Sequence, residues 1–216
     1  MDNSKILHYV QNYKKRDTPY RDQFDFQLGI CYIRLCEYEK AQIMFEKNML
    51  SMLTPPMLWK KSAQPHWLVD IFILSKRQDL LENVIRELGI YRSDRLGNSF
   101  VACYSYAVAD LLSLTSKDIS REINCLMKNP KIKMAIAWGS AFQAVIVQDQ
   151  ASFDLALEDV LAIHKGQATH GGLRETPEGW LCMPAMTLIY LALRQNLLIN
   201  INNEYVDVRY IKYLYG

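Results

Sequence analysis

The sequence predicts an all-α protein built as an array of antiparallel helical hairpins. Apolar residues recur at spacings of three and four along most of the chain, which is the pattern of amphipathic helices. Only 9 of the 216 residues are glycine and 7 are proline, which is too few for the turns that a β-sandwich needs every ~8–12 residues. The chain is 50% hydrophobic and 22% charged, a globular composition that excludes general disorder. We therefore expect one helical domain over residues 1–216, with an N-terminal part (1–54), a middle part (55–147) and a C-terminal part (148–216).

Two apolar stripes joined by a short corner predict the first helical hairpin. The first stripe runs from Phe24 to Leu35 and the second from Ala41 to Met49. The polar residues between them are too few for anything but a tight turn, so the two helices must lie antiparallel. Pro55 and Pro56 end the second helix, because proline removes a hydrogen-bond donor and restricts the residue before it.

The contact residues of this first hairpin have a recognisable spacing. They are Leu28, Gly29, Tyr32, Tyr38, Ala41 and Phe45. Gly29 and Ala41 are small where the two helices touch, and the rings of Tyr32 and Phe45 fill the gap beside them. In this spacing the hairpin resembles one tetratricopeptide repeat. The resemblance implies an array of degenerate repeats of the α-solenoid type, which binds partners along an extended surface.

The middle of the chain continues in the same way. A second pair is predicted with an apolar helix over 67–75, a corner over 76–79 and a return helix over 80–88, and Gly89 is predicted as the left-handed residue that ends it. Further helices are predicted over 99–114, 118–129, 132–147 and 153–164, the last with Ser152 as its N-cap.

The last part of the chain contains one more helix and a break in the pattern. Pro184 suits the first turn of a helix, and that helix is predicted to end near Gln195. Residues 198–201 alternate apolar and polar side chains, which favours one short extended piece. The tyrosine-rich tail over 206–213 is predicted to dock as a short helix.

Cysteine usage and hydropathy give an expectation about the compartment. The five cysteines lie in apolar, helix-like surroundings, which favours free, buried thiols in a reducing compartment. They are Cys31, Cys36, Cys103, Cys125 and Cys182. The N-terminal apolar run is too short for a secretory signal, and no apolar stretch approaches the ~18 residues of a membrane span. We expect a cytoplasmic protein with no membrane partner.

Charge and motif content favour binding over chemistry. Lys and Arg total 25 and Asp and Glu total 23, a net charge of +2, which gives no support to a nucleic-acid partner. The chain contains no nucleophile-elbow, phosphate-loop, dinucleotide or HExxH motif. Its four histidines are scattered, and the spacing of His164, His170 and Cys182 matches no zinc module. We expect no catalytic residue, no metal and no cofactor.

The segment from His164 to Trp180 is the most unusual in the chain, because it contains Gly166, Gly171, Gly172 and Gly179 within one polar stretch. A loop of this length in a helical domain is either a flexible connection or a contact for a partner. The 13 tyrosines and 4 tryptophans add side chains that favour interfaces. We expect exposed rings at Tyr205, Tyr210, Tyr213 and Tyr215 in the tail. The candidate partner-binding residues are His164, His170, Arg174, Glu175, Glu178, Trp59 and Trp67.

The C-terminal third carries a second family resemblance. A helix ending at His164 and a glycine-containing loop precede the run P-E-G-W-L-C-M-P-A over 177–185, and the chain then closes through 199–201 and Tyr205. This arrangement resembles polymorphic-toxin immunity proteins of family 49, whose members are all-helical and end with a similar Gly-aromatic helix, a short extended piece and a tyrosine-containing turn.

This resemblance implies a bacterial antidote that binds one cognate protein toxin and occludes it in the cytoplasm. Two other classes stay open. One is a helical-repeat adaptor or chaperone, and the other is an enzyme with its site in the loop from His164 to Glu178. The position of the gene distinguishes the first two classes, because an antidote is encoded beside its toxin.

Overall fold

A computed structural model describes residues 3–13, 25–54, 65–93, 99–113 and 118–215. Within these ranges the chain forms twelve α-helices and no β-strand, so the all-α prediction is confirmed. The helices are α1 (Asn3–Tyr13), α2 (Asp25–Arg34), α3 (Tyr38–Leu53), α4 (Pro65–Leu74), α5 (Leu81–Ser93), α6 (Phe100–Leu112), α7 (Ser120–Met127), α8 (Lys133–Val147), α9 (Gln150–His170), α10 (Pro177–Trp180), α11 (Met183–Arg194) and α12 (Val208–Tyr215).

Helices that follow one another pack side by side as an array of hairpins. α2 packs on α3 across a three-residue corner, and α8 packs on α9 in the same way across Gln148 and Asp149. α3 ends at Leu53, as expected from Pro55 and Pro56, which themselves lie outside the described residues. The first predicted hairpin is therefore confirmed within a few residues at each end.

α11 lies at the centre of the fold. It contacts α4, α6, α8, α9 and α12, and nearly all of its side chains from Met183 to Ala192 are buried. A helix that is apolar on all sides is stable only when neighbours surround it. The C-terminal part of the chain thus holds the middle helices together.

The C-terminal tail docks as the helix α12, as predicted, but its rings are less exposed than expected. Tyr210 is fully buried, where its hydroxyl donates to the carbonyl of Leu74 at 2.6 Å. Tyr205 is also buried and Tyr213 is half-buried. Only Tyr215 is exposed, at 53%. The expectation fails because α12 is amphipathic and turns the rings of Tyr210 and Tyr213 onto α3 and α4. Tyr205, which precedes this helix, packs against His164 instead.

Residues 198–201 belong to an irregular stretch and pair with no strand in the described part of the chain. The side chain of Gln150 makes the two backbone hydrogen bonds that a neighbouring strand would otherwise make to this stretch. Its Oε1 accepts from the backbone N–H of Leu198 at 2.7 Å, and its Nε2 donates to the carbonyl of Leu198 at 3.0 Å. The predicted extended piece is therefore held by one side chain at the start of α9.

Three predicted helix ends were wrong. α5 continues through Gly89 to Ser93, because a glycine within a helix costs only about 1 kcal/mol. Asp149, not Ser152, is the N-cap of α9, since its Oδ1 accepts from the backbone N–H of Ser152 at 3.1 Å. α9 runs through Gly166 to His170 and α10 occupies Pro177–Trp180, so that most of the predicted loop over 164–180 is helix.

The state of the cysteines, which were expected to be free and buried, differs most from the sequence prediction. Cys103 on α6 and Cys125 on α7 form a disulfide across Cα atoms 6.4 Å apart, and Cys36 is exposed. Free, buried thiols are found only at Cys31 and Cys182 within the described ranges, and burial raises the pKa of each to about 12. The expectation was wrong because the packing of α6 on α7 is a tertiary contact that no local pattern reveals.

None of the described helices combines the length and the apolar character that crossing a membrane requires.

The predicted close approach at Gly29 is confirmed. A Cβ atom at this position would lie 2.8 Å from ring atoms of Phe45. Gly29→Leu is therefore expected to lower the free energy of unfolding by about 1–3 kcal/mol, because the ring must move to admit the new side chain. Chemical denaturation measures this change. Gly166→Leu is the matched control, because nothing lies within 4 Å of its Cβ position on the surface of α9, and an equal loss in both variants would contradict the proposed contact.

Candidate functional site

A surface cleft of about 910 Å³ opens on the described part of the molecule. It lies between α1, the C-terminal end of α9, the loop over 171–176, α10 and the turn at Glu204 and Tyr205. Its lining residues are Ser4, Lys5, His8, Tyr9, Asn12, Ala168, Thr169, Arg174, Glu175, Gly179, Trp180, Glu204 and Tyr205.

Two hydrogen bonds through one glutamine link the walls of the cleft to one another. The hydroxyl of Tyr9 on α1 donates to Oε1 of Gln27 on α2 at 2.6 Å. Nε2 of the same Gln27 donates to Oε1 of Glu178 on α10, also at 2.6 Å. Helices that are distant in sequence are thereby held together, and the position of α1 depends on α10.

Aromatic rings form the floor of the cleft. The ring of Trp180 meets Tyr9 edge-on with centroids 5.7 Å apart, and the ring of Tyr205 meets His164 edge-on at 5.0 Å. The carbonyl of Tyr205 accepts from the backbone N–H of Cys182 at 2.8 Å. Each ring of the floor is therefore packed against another ring, and the backbone of Tyr205 is bonded to the N-cap residue of α11.

The loop over 171–176 is tightly built. The hydroxyl of Thr176 donates to the carbonyl of Leu173 at 3.0 Å, and the backbone N–H of Gly179 donates to the carbonyl of Thr176 at 3.0 Å. A Cβ atom on Gly179 would lie 2.1 Å from the carbonyl oxygen of Leu173. Only glycine fits there, and this close approach holds Arg174 and Glu175 at the edge of the cleft.

Both signs of charge stand at the rim. Lys5 and Arg174 are positive, Glu175 and Glu204 are negative, and all four are exposed. The side chain of Arg34 stabilises the turn at Glu204 and Tyr205, because it donates a hydrogen bond of 2.6 Å to the carbonyl of Glu204. An aromatic floor inside a charged rim is the arrangement typical of protein interfaces.

The structure divides the predicted partner-binding residues into two groups. Arg174 and Glu175 line the cleft, and His170 is exposed nearby at the end of α9. His164 is only 4% exposed and does not line the cleft. Its ring packs under Tyr205 because α9 turns this face towards the core.

The remaining predicted residues lie elsewhere. Glu178 and Trp67 line a second pocket, together with His164. Trp67 is half-buried, with its ring 5.1 Å from that of Phe26. Trp59 lies outside the described residues.

Sequence reasoning missed the contribution of α1. Lys5, His8, Tyr9 and Asn12 recur at helical spacing and share one face of this helix. His8 and Asn12 are also joined by a hydrogen bond of 2.7 Å. The spacing was visible in the sequence, but only the tertiary contact of α1 with α2 and Trp180 places this face on the cleft.

The residues that line the second pocket include a fully buried carboxyl group. Oδ1 of Asp70 on α4 accepts from the hydroxyl of Tyr104 at 2.7 Å and from that of Thr187 at 2.6 Å. Burial raises the pKa of Asp70 to about 7, although both hydrogen bonds act in the opposite direction. Burial lowers the pKa of His164, and a backbone hydrogen bond at Gly179 partly offsets this change.

Comparison of the chain with protein-family models, with curated proteins and with solved structures found no match.

Proposed function

We propose that this chain is an immunity protein that binds a cognate protein toxin through the surface cleft and blocks it by occlusion. The single observation that carries the proposal is the position of the segment 177–185, on which the resemblance to immunity family 49 rests. Gly179 and Trp180 from this segment form one wall of the cleft. The part of the sequence with the family pattern therefore also contributes to the wall of the cleft, which supports the cleft as the proposed binding surface.

The composition of the cleft supports a protein partner. Of the rings that line the cleft, Tyr9 is half-buried and offers contact area to a partner, whereas Trp180 and Tyr205 are buried and form the packed wall behind it. The exposed charges around them supply specificity and a fast encounter with a partner of complementary charge. In this proposal the protein acts without turnover, and the toxin's own site is covered by the bound antidote.

Charge reversal at the rim tests this proposal. The double variant Lys5→Glu and Arg174→Glu is expected to weaken the complex with the toxin encoded beside this gene by about 100-fold, because both cationic contacts become repulsive. Calorimetric titration with the purified toxin domain measures the dissociation constant.

Arg121→Glu on α7 is the control, because this exposed residue lies away from the cleft. It should bind the toxin as the wild type does. Unchanged binding by the double variant would contradict the cleft as the interface. Absence of any complex with the wild-type protein would contradict the function itself.

A helical-repeat adaptor is the second candidate function. The tight packing of Gly29 against Phe45 in the α2–α3 hairpin supports it, because tetratricopeptide-like pairs occur in proteins that bind other proteins. An adaptor does not require a toxin gene beside it. Affinity capture from the native host, with this protein as bait, distinguishes the two functions. An antidote is expected to retain one toxin, whereas an adaptor is expected to retain other proteins.

The proposal places the protein in the cytoplasm of the cell that produces the toxin. The disulfide between Cys103 and Cys125 is unusual for that compartment, where thiols are kept reduced. Alkylation of the protein in intact cells shows whether both thiols are free there.

A further inference from the structure

A surface pocket of about 780 Å³ lies beside the disulfide between Cys103 and Cys125. It is lined by the N-cap and first residue of α6, by α7 and by the turn between α7 and α8, and it is called the α7 pocket below. The α7 pocket shares no lining residue with the cleft of the proposed toxin interface. It can therefore have a function of its own.

The two sulfur atoms of the disulfide differ in their access to solvent. Cys125 is half-buried and lines the α7 pocket, whereas Cys103 is only 5% exposed and does not line it. Thiol–disulfide exchange requires one sulfur to approach another directly, so access decides which cysteine reacts first. A reagent from solvent therefore meets Cys125 first, and Cys103 reacts with its own partner in the fold.

The α7 pocket carries positive charge around Cys125. Arg121 precedes this cysteine by four residues and Lys128 follows it by three, a spacing that places all three side chains on one face of the helix. Both cations are exposed and line the pocket. Glu122 on the same helix is buried and is not among the lining residues, which include no Asp or Glu in the described part of the chain. The pocket therefore attracts small anions towards the accessible sulfur.

We propose that the α7 pocket is a thiol–disulfide exchange site for small anionic disulfides and thiols, with Cys125 as the reacting cysteine and Cys103 as the resolving cysteine. The substrate class is a low-molecular-weight disulfide that carries carboxylate groups. Arg121 and Lys128 hold these carboxylates, and the exposed amide of Asn124 supplies a further hydrogen-bond donor at the pocket.

The exchange proceeds in two steps that balance. In the first, Cys125 loses its proton to solvent and its thiolate attacks one sulfur of the small disulfide, whose other half leaves as a thiolate. In the second, the thiolate of Cys103 attacks Sγ of Cys125 and releases the remaining half. Each leaving thiolate takes up one of the protons released by the cysteines. Two cysteine thiols are thereby oxidised to one disulfide while one small disulfide is reduced to two thiols, and reduction of the protein follows the same steps in reverse.

An exchangeable disulfide is also compatible with the cytoplasmic location proposed above. Disulfides of cytosolic proteins are usually transient and redox-sensing. For this point alone the inference rests on the proposed function, because the exchange chemistry itself requires neither a toxin nor the cleft.

Reduced variants that keep one cysteine of the pair test the two roles. Cys36→Ser is present in every variant, because Cys36 is exposed and would react on its own. On this background Cys103→Ala retains Cys125, and Cys125→Ala retains Cys103. With oxidised glutathione as the probe, the variant that retains Cys125 is expected to form a mixed disulfide at least about tenfold faster. Mass spectrometry of quenched samples measures the rate.

Two controls accompany this comparison. The variant that lacks both cysteines gives the background rate of the buried thiols Cys31 and Cys182. In urea the two single variants should react at similar rates, because unfolding removes the difference in access, and circular dichroism confirms that each is folded without urea. Equal rates in the folded variants, or a faster reaction of Cys103, would overturn the assignment.

The preference for anions is tested on the folded variant that retains Cys125. Adding Arg121→Gln and Lys128→Gln is expected to slow its reaction with oxidised glutathione about tenfold, but not its reaction with cystamine, whose two halves are cationic. Lys165→Gln with Lys212→Gln removes the same charge from exposed positions outside the pocket and is the matched control. An unchanged ratio of the two rates, or an equal change in the control, would overturn the recognition of anions.

The protein that keeps both cysteines tests the resolving step. After reduction and treatment with oxidised glutathione, Cys36→Ser is expected to regain the disulfide between Cys103 and Cys125 and to retain no glutathione. The variant with Cys103→Ala is expected to keep one glutathione on Cys125. A lasting glutathione adduct on the protein with both cysteines would mean that Cys103 does not resolve it, and would overturn the proposal.

Discussion

Gly179→Ala is expected to lower the free energy of unfolding by about 3 kcal/mol, the upper end of the usual range for overpacking. The added methyl group would lie 2.1 Å from the carbonyl oxygen of Leu173. A flexible side chain could move away from such a contact, but a backbone oxygen moves only with its loop. The loop over 171–176 must therefore shift away from α10, and the wall of the cleft is disrupted with it.

Gly172→Ala is the matched control for this substitution. It lies in the same loop, and nothing comes within 4 Å of its Cβ position. Urea denaturation of the two variants should show a large loss for Gly179→Ala and a change within about 0.5 kcal/mol for Gly172→Ala. Similar stabilities for the two variants would mean that the close approach of α10 to this loop is absent.

Reduction of the Cys103–Cys125 disulfide is expected to lower the free energy of unfolding by about 3 kcal/mol. The bond closes a loop with a sequence separation of 22 residues, and the chain-entropy model gives about that value for a loop of this length. The loss arises because the reduced chain has more conformations when it is unfolded. Denaturation with and without dithiothreitol measures it.

The variant Cys125→Ser separates this effect from other actions of the reductant. Dithiothreitol should leave the stability of this variant unchanged, since no disulfide remains to be reduced. Alkylation of the denatured, unreduced wild-type protein should modify three of its 5 cysteines. Modification of all of them would contradict the disulfide.

Helical periodicity was sufficient to predict most of the fold. The bounds of α2, α3, α8 and α11 follow from apolar spacing, because each buries a stripe or its whole surface. The corners were harder to place, since residues other than glycine take the left-handed conformation there. They include Cys36, Lys76, Gln148 and Asn196. In these turns the packing of the paired helices, and not the local residue preference, determines where the chain reverses.

The candidate site could be predicted only in part. Arg174 and Glu175 were found because they lie in an unusual polar, glycine-rich segment, and both line the cleft. His164 and Glu178 belong to the same segment, but their side chains line the second pocket instead. The opposite wall comes from α1, which is far away in sequence. No pattern within a single segment could bring these elements together.

Titration of the toxin tests most directly whether this protein acts by occlusion. The quantity of interest is the molar ratio of this protein to toxin at which the toxin is fully inhibited. Purified toxin at fixed concentration is titrated with this protein, and the toxin's residual activity is recorded. Occlusion through the cleft predicts that activity falls linearly and vanishes at about one antidote per toxin, with a stable complex isolated by size-exclusion chromatography. Complete protection at a small fraction of that ratio, without a stable complex, would contradict the account, because it would require the protein to act catalytically.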